Sequence, residues 1–302
     1  MRSPLPPRDG VGATRLRVPR EGPWATVADY LIFRFGHVDA ALLRARFDRS
    51  EVVDAAGQAL SQSTPLGETD FIWYYREPPI EREIPFEIEV LHQDADLVVI
   101  DKPHFLPTTP SGKFLQNSAL VRLRRLLNND DLTPIHRLDR LTAGVVMFSA
   151  RPETRGAYQS LFERREVQKE YEAISAGAAS DLAFPLTIRS HIRKERGVLR
   201  VQEIADAAPN AETQIDLVAR HGDRWHLRLR PHTGQMHQLR VHLAGIGLGI
   251  LHDPFYPELL PEAPDDFDRP LQLLARELSF TDPLSGAARR FRSPRALGAK
   301  RD

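Results

Sequence analysis

Apolar positions recur at helical spacing in Thr26 to Phe35, Asp39 to Phe47, Ser118 to Leu127, Glu153 to Glu166 and Met236 to Ala244, which predicts a series of short helices. In the third, Leu120, Val121, Leu123, Leu126 and Leu127 form the apolar face and Arg122, Arg124 and Arg125 the outer one. Thr233 is the expected cap of the last helix. Strand patterns fill the gaps. Glu51 to Asp54 and Phe71 to Tyr75 form one pair, and Ile88 to His92 and Leu97 to Ile100 flank the turn residues Gln93-Asp94-Ala95-Asp96. Val145 to Ser149 is a continuous apolar run of the buried-strand kind, and Gln168 to Ser175 alternates with Lys169, Tyr171 and Ala173 on one face. Gln214 to Ala219, Trp225 to Arg230, Ile250 to Tyr256, Leu273 to Phe280 and Arg289 to Phe291 complete the set. The expected fold class is α+β with a mixed, largely antiparallel sheet.

The pattern divides the chain. Residues 1–24 are rich in Pro, Arg and Gly without periodicity and are expected to run as a flexible arm. Residues 25–82 read as a small helix, helix, strand, strand unit, and Glu77-Pro78-Pro79 through Pro85 is the linker candidate. Residues 83–302 form the main domain. Ala176 to Asn210 carries no assignable chemistry, and no internal repeat is present.

Composition narrows the chemistry. There is no cysteine, which excludes disulfides, thiol catalysis and cysteine metal sites. The start of the chain has no apolar core for a signal peptide and no run approaches a membrane span, so a cytoplasmic protein with no membrane partner is expected. Formal charge is zero, yet only five of the 41 basic residues are lysines, so the positive charge is almost all guanidinium, which forks onto phosphate and stacks on bases. A coding preference for arginine explains the same count. Histidines at 226, 232, 237 and 242 lack the spacing of a helical ligand pair, and no metal is expected.

The chemistry concentrates in His136-Arg137-Leu138-Asp139-Arg140-Leu141-Thr142-Ala143-Gly144, where a carboxylate sits between two arginines at the mouth of the apolar run. This stretch resembles the catalytic loop of the RluA-type RNA pseudouridine synthases. Lys169-Glu170-Tyr171 and Thr233-Gly234-Gln235-Met236-His237-Gln238-Leu239-Arg240 resemble that family's two further motifs, in the same order. The resemblance runs from about Ile84 onward, and residues 25–82 look like a degenerate S4-type RNA-binding module, with Arg34, Arg44, Arg46 and Arg49 on its helices. Solvation of a helix surface explains those arginines equally.

The resemblance implies a pseudouridine synthase fold with a small N-terminal S4-like module, acting without a cofactor on RNA, either 23S rRNA or tRNA, as a monomer. It makes Asp139 the catalytic carboxylate, Arg240 its ion-pair partner and Tyr171 the ring that stacks on the target uracil, with His136, Arg137, Arg140, Lys169, His237 and Gln238 as RNA contacts. Two positions depart from the family pattern, Gln235 where arginine is usual and His252 where glycine precedes the aspartate. Isomerising uridine needs one carboxylate, as nucleophile at C1′ or base at C2′, and both roles stay open. Glycoside hydrolysis usually needs two carboxylates, and the motif supplies one. The competing class is a non-catalytic RNA-binding or ribosome-assembly factor that retains the fold.

Overall fold

The structure is a computed structural model, and it describes residues 3–76, 81–176 and 182–298. The chain divides into two compact units, residues 1–81 with 112–116, and residues 82–111 with 117–302.

The first unit has β1 (Thr14–Arg17), α1 (Val27–Arg34), α2 (Ala40–Asp48), β2 (Val52–Val53) and β3 (Phe71–Tyr74), its antiparallel sheet ordered β1-β3-β2. Both helices start where short polar side chains satisfy orphan N–H groups: Thr26 Oγ1 accepts from Asp29 N at 3.1 Å, and Asp39 Oδ1 from Ala41 N at 2.8 Å. Val27, Ala28 and Leu31 of α1 and Phe47 of α2 pack on Val52, Ile72 and Tyr74 as one core. The stretch expected to be a flexible arm contains β1. Thr14-Arg15-Leu16-Arg17 alternates exposure along the strand, Leu16 packs on that core, and Val18 just beyond is buried, so a short paired strand escapes a reading based on composition. The four helix arginines differ in fate: Arg46 is buried on the Tyr75 carbonyl, Arg44 and Arg49 pair with Asp29 and Glu51, and Arg34 is exposed.

Among the described residues the second unit is one eleven-stranded sheet with three helices. In chain order it has β4 (Glu89–Gln93), β5 (Leu97–Lys102), α3 (Ala119–Leu127), β6 (Thr133–Pro134), β7 (Ala143–Ser149), α4 (Pro152–Glu163), β8 (Gln168–Ala176) and β9 (Leu186–Lys194). Then follow β10 (Val201–Ile204), β11 (Ala211–His221), β12 (Arg224–Pro231), α5 (Gln238–Gly245), β13 (Leu273–Thr281) and β14 (Ala288–Arg292). The order is β10-β9-β11-β12-β8-β13-β7-β5-β4, with β14 on β13 and β6 on β7. Among the described residues only β7 against β13 is parallel, so the sheet is mixed and largely antiparallel. All seven residues of β7 are buried, which is why its sequence runs apolar without alternation. Val145 and Met147 pack with Leu97, Val99, Leu278 and Phe280, under Tyr158 and Leu161 of α4.

Gly144 makes the parallel contact possible. Its φ is +117°, and a Cβ there would overlap the backbone carbonyl of Ala275, its partner in β13. The corner that presents Asp139 is thereby welded to the middle of the sheet.

Two local expectations are corrected. Ile250 to Tyr256 is not a strand: it makes one isolated bridge, from Ile250 to Ser175, and then turns because the Asp253 carboxylate accepts the N–H groups of Phe255 and Tyr256 at 2.8 and 3.3 Å. Thr233 does not cap α5. The N-cap is His237, at φ +53° with no side-chain cap bond, and the Thr233 hydroxyl serves Gln238 Oε1 and Glu212 N instead.

Candidate active site

The Asp139 loop is fixed by side chains that reach its backbone. Thr108 Oγ1 accepts from Leu138 N at 3.1 Å and donates to Leu138 O at 3.0 Å, Lys102 Nζ reaches Arg140 O at 3.3 Å, and a His104 ring nitrogen lies 2.7 Å from Leu141 O. Thr142 N closes the turn on Asp139 O at 3.1 Å. The four successive carbonyls from Leu138 to Leu141 thus each have a partner within the protein, and the carboxylate is presented on a rigid corner. Lys102 is fully buried, and burial lowers its pKa to about 7 against the opposing attraction of Asp139.

Asp139 opens onto a cleft of about 400 Å³ with Tyr171, Lys169, His237 and Arg240, and it is the one carboxylate among the residues lining it. Three elements therefore converge: the corner before β7, the middle of β8 and the start of α5. Arg240 Nη1 lies 3.5 Å from Asp139 Oδ2, and His237 Nε2 lies 3.8 Å from the same oxygen. Burial depresses the His237 pKa to about 4, so the ring is neutral near pH 7 and Arg240 is the cation of that pair.

Arg240 is 2 % exposed, and its main partner is Asp253: Nε to Oδ2 at 2.8 Å and Nη2 to Oδ1 at 2.5 Å. Nη1 is the atom that faces Asp139. The expectation of a simple Arg240 to Asp139 pair becomes a three-membered arrangement in which Asp253 orients the guanidinium and Asp139 takes its remaining edge. Tyr171 lies on β8 opposite Leu229 and Ala275, and burial followed by the field of Asp139 raises its pKa, which keeps the hydroxyl protonated.

The expected RNA contacts separate into two groups. Arg137 is exposed where the cleft meets a second cavity, and Lys169 lines both, its Nζ on Thr233 O at 2.8 Å and its pKa lowered by burial to about 8. The others are engaged within the protein. His136 Nε2 accepts from Met147 N at 3.1 Å, which puts the ring hydrogen on Nδ1, and burial lowers its pKa to about 3. Arg140 holds Asp265 through two bonds at 2.7 and 2.9 Å. The Gln238 amide bonds Thr233, Gln235, Glu212 and Thr213.

Known proteins are similar to this chain in sequence and in fold. A family model described as RNA pseudouridylate synthase matches residues 96–245. The dual-specificity RNA pseudouridine synthase RluA of Yersinia pestis is 30% identical over 218 residues, covering 67% of this chain and 97% of that protein. The chain belongs to the RluA-type RNA pseudouridine synthase family. Pseudouridylate synthase RPUSD2 of Mus musculus is 34% identical over 201 residues, 64% of this chain and 35% of that one, so the chain spans about a third of the length of that relative. The solved structure of human RNA pseudouridylate synthase domain containing 4 is 26% identical with a TM-score of 0.53, over 70% of this chain and 88% of that one.

Lys102, Thr108 and His104, which brace the Asp139 loop, were not singled out from the sequence, and Asp253 was noted there only as the aspartate that follows His252 in the family pattern, without a role. Beyond that pattern, Asp253 stood out as a lone acid between Ile250-Leu251 and Phe255-Tyr256, and Lys102 as a lysine ending an apolar strand. Among the described residues no group of three or more metal-binding side chains occurs, and no helix is long and apolar enough to cross a membrane.

Proposed function

We propose that this chain is an RNA pseudouridine synthase, isomerising uridine in a structured RNA of the rRNA or tRNA class through Asp139. The observation that carries this reading is a lone carboxylate, about a quarter exposed, on a rigid corner beside Tyr171 and within 3.5 Å of a guanidinium that Asp253 already orients. A uridine extruded from its helix places its ribose against Asp139 and its base against Tyr171. Stacking on an aromatic ring is worth about 1–3 kcal/mol per base, comparable to the few kcal/mol that extrusion costs.

Attack at C1′ and abstraction at C2′ both begin from an ionised carboxylate. The C1′–N1 bond breaks, the uracil turns within the cleft and bonds C1′ through C5, and C5 loses its proton while N1 gains one as the product rearomatises. No redox change and no net water are involved, so no cofactor is assigned. Arg137 at the mouth and Lys169 within the cleft are read as contacts to the strand that carries the extruded base. The first unit is read as an accessory RNA contact, through its exposed arginines.

The test is to map pseudouridines in total RNA from cells with and without the protein, then to restore the missing site with purified protein on the corresponding transcript. Identical maps and no product in vitro would end the proposal. The competing reading, a non-catalytic assembly factor, predicts that outcome.

A further inference from the structure

Beside the catalytic cleft lies a second cavity of about 400 Å³, sharing Arg137, Lys169 and Tyr171 with it and extending under the C-terminal end of α4 to Arg165, Phe162 and His136. Its cations are Arg137, Lys169 and Arg165, and its lining includes no carboxylate. A concave surface with several cations and no acid concentrates anions.

Arg165 is placed there at a conformational cost. Helix α4 ends in a Schellman arrangement, with Glu166 N bonding Leu161 O at 2.8 Å and Arg165 N bonding Phe162 O at 3.2 Å, which leaves Arg165 at φ +59°. That position is ordinarily glycine, because a Cβ is disfavoured in left-handed backbone. The side chain gains no compensating ion pair among the described residues: Glu166 is paired with Arg164, and Glu212, which feels the charge of Arg165, is held by Arg189 at 2.8 Å. Arg165 also helps to depress the pKa of Lys169, after burial, so the two charges bear on the same space. An anion between them would relieve that repulsion.

The rest of the wall suits a base. His136 and Phe162 stack with centroids 4.7 Å apart at 22°, and burial keeps His136 neutral, so this wall is aromatic and uncharged.

We propose that this cavity is a second nucleotide subsite, holding the phosphodiester and base of the residue that neighbours the extruded uridine in single-stranded RNA, with Arg165 as its anion anchor. The placement beside the uridine rests on the synthase reading, whereas the anion site itself does not. Arg165 is a specificity-determining contact, remote from the bond that breaks.

The experiment compares wild type, Arg165→Gly and Arg165→Asn for binding of a labelled single-stranded oligouridylate by fluorescence anisotropy over a salt series, together with thermal melts. Glycine and asparagine both tolerate left-handed backbone, so the melting temperature should stay the same or rise. Affinity should fall, and the slope of log affinity against log salt should become shallower by about 0.7, one phosphate contact on a single strand. A structural role for Arg165 predicts the opposite, a lower melting temperature with an unchanged slope. Wild-type slope in both variants, or no binding of the oligomer by wild type at low salt, would overturn the proposal. If wild type forms no pseudouridine in any cellular RNA while the Arg165 variants still lose a phosphate contact, the synthase reading fails and the anion site stands. If product forms and the slopes are equal, the subsite fails alone.

Discussion

Arg240 and Asp253 face each other through two hydrogen bonds, at 2.8 and 2.5 Å, with 2 % and 0 % of their side chains exposed. Asp253 also accepts two backbone N–H groups of its own turn, so the carboxylate is saturated before Asp139 is considered. Such a pair offsets its desolvation only through good geometry and full satisfaction, and both are present. Asp139 therefore meets a guanidinium whose orientation is fixed by a third residue, and it keeps an open side toward the cleft.

Asp253→Asn should cost about 3–5 kcal/mol of stability, because it leaves a buried guanidinium without its counter-charge. It should also lower turnover more than a surface variant of equal stability, since Arg240 loses the partner that aims it at Asp139. Urea melts and single-turnover assays on one preparation check both. A stability equal to wild type would mean that the pair does not hold the site.

Asp139→Asn should abolish isomerisation while leaving the melting temperature and RNA affinity close to wild type, because the amide keeps the shape and loses the charge and the nucleophile. The carboxylate makes no short hydrogen bond, its contacts with Arg240 and His237 being 3.5 and 3.8 Å, so little stability is at stake. Product at the wild-type rate would remove Asp139 from the mechanism.

The Asp139 corner was legible because its information is local: charged residues at a strand mouth, a threonine and a glycine, then an apolar run. The helix starts at Thr26, Asp39 and Ser118 were legible for the same reason, each being a short polar residue before an apolar face. The roles of Asp253 and Lys102 were not, since they depend on which groups the fold brings to them: Arg240, 13 residues away, for one, and the carbonyls of Leu106 and Arg140, 4 and 38 residues away, for the other. Gln238 and Arg140 looked available for RNA because a sequence does not show that Thr213 and Asp265 already occupy them. Strand β1 is four residues long, too short for its alternation to stand out in a Pro- and Arg-rich stretch.

Tyr171→Phe should preserve RNA binding and slow product formation, since the ring still stacks and only the hydroxyl is lost. A positioned acid or base contributes on the order of 10²–10⁴ in rate, which sets the scale of the loss. Because burial raises the Tyr171 pKa, the wild-type rate should show no rise tied to phenolate formation in mildly alkaline buffer. A variant that turns over like wild type would reduce Tyr171 to a stacking surface.

Lys102→Met should separate geometry from binding. The ammonium serves the carbonyls of Pro103, Leu106 and Arg140 at 3.0, 2.7 and 3.3 Å, and methionine fills the space without donating. Each buried acceptor left unpaired costs about 1–3 kcal/mol. Turnover should fall through a lower kcat, with KM little changed, because the loop that carries Asp139 loosens while the RNA-facing surface stays. A selective rise in KM would place Lys102 in binding instead.

Acid should destabilise the fold through its buried histidines. His237 and His242 are 7 % and 1 % exposed, and burial lowers both pKa values to about 4, against an ordinary value of about 6.5 in the unfolded chain. Between those limits the unfolded state takes up protons that the folded state refuses, so stability is fully present above about pH 6.5 and is lost as pH falls toward 4. Each histidine adds a slope of up to about 1.4 kcal/mol per pH unit within that window. His242 isolates the effect, since its ring nitrogens contact only the hydroxyls of Thr213 and Ser190, both at 3.0 Å, and Glu203 at 3.9 Å. His242→Gln should lower stability at pH 7 by losing one of those bonds, yet reduce the slope between pH 5 and pH 6 by about one proton's worth. Urea melts at several pH values, on wild type and variant together, read the difference directly, and parallel slopes would show that His242 titrates alike in the folded and unfolded chain.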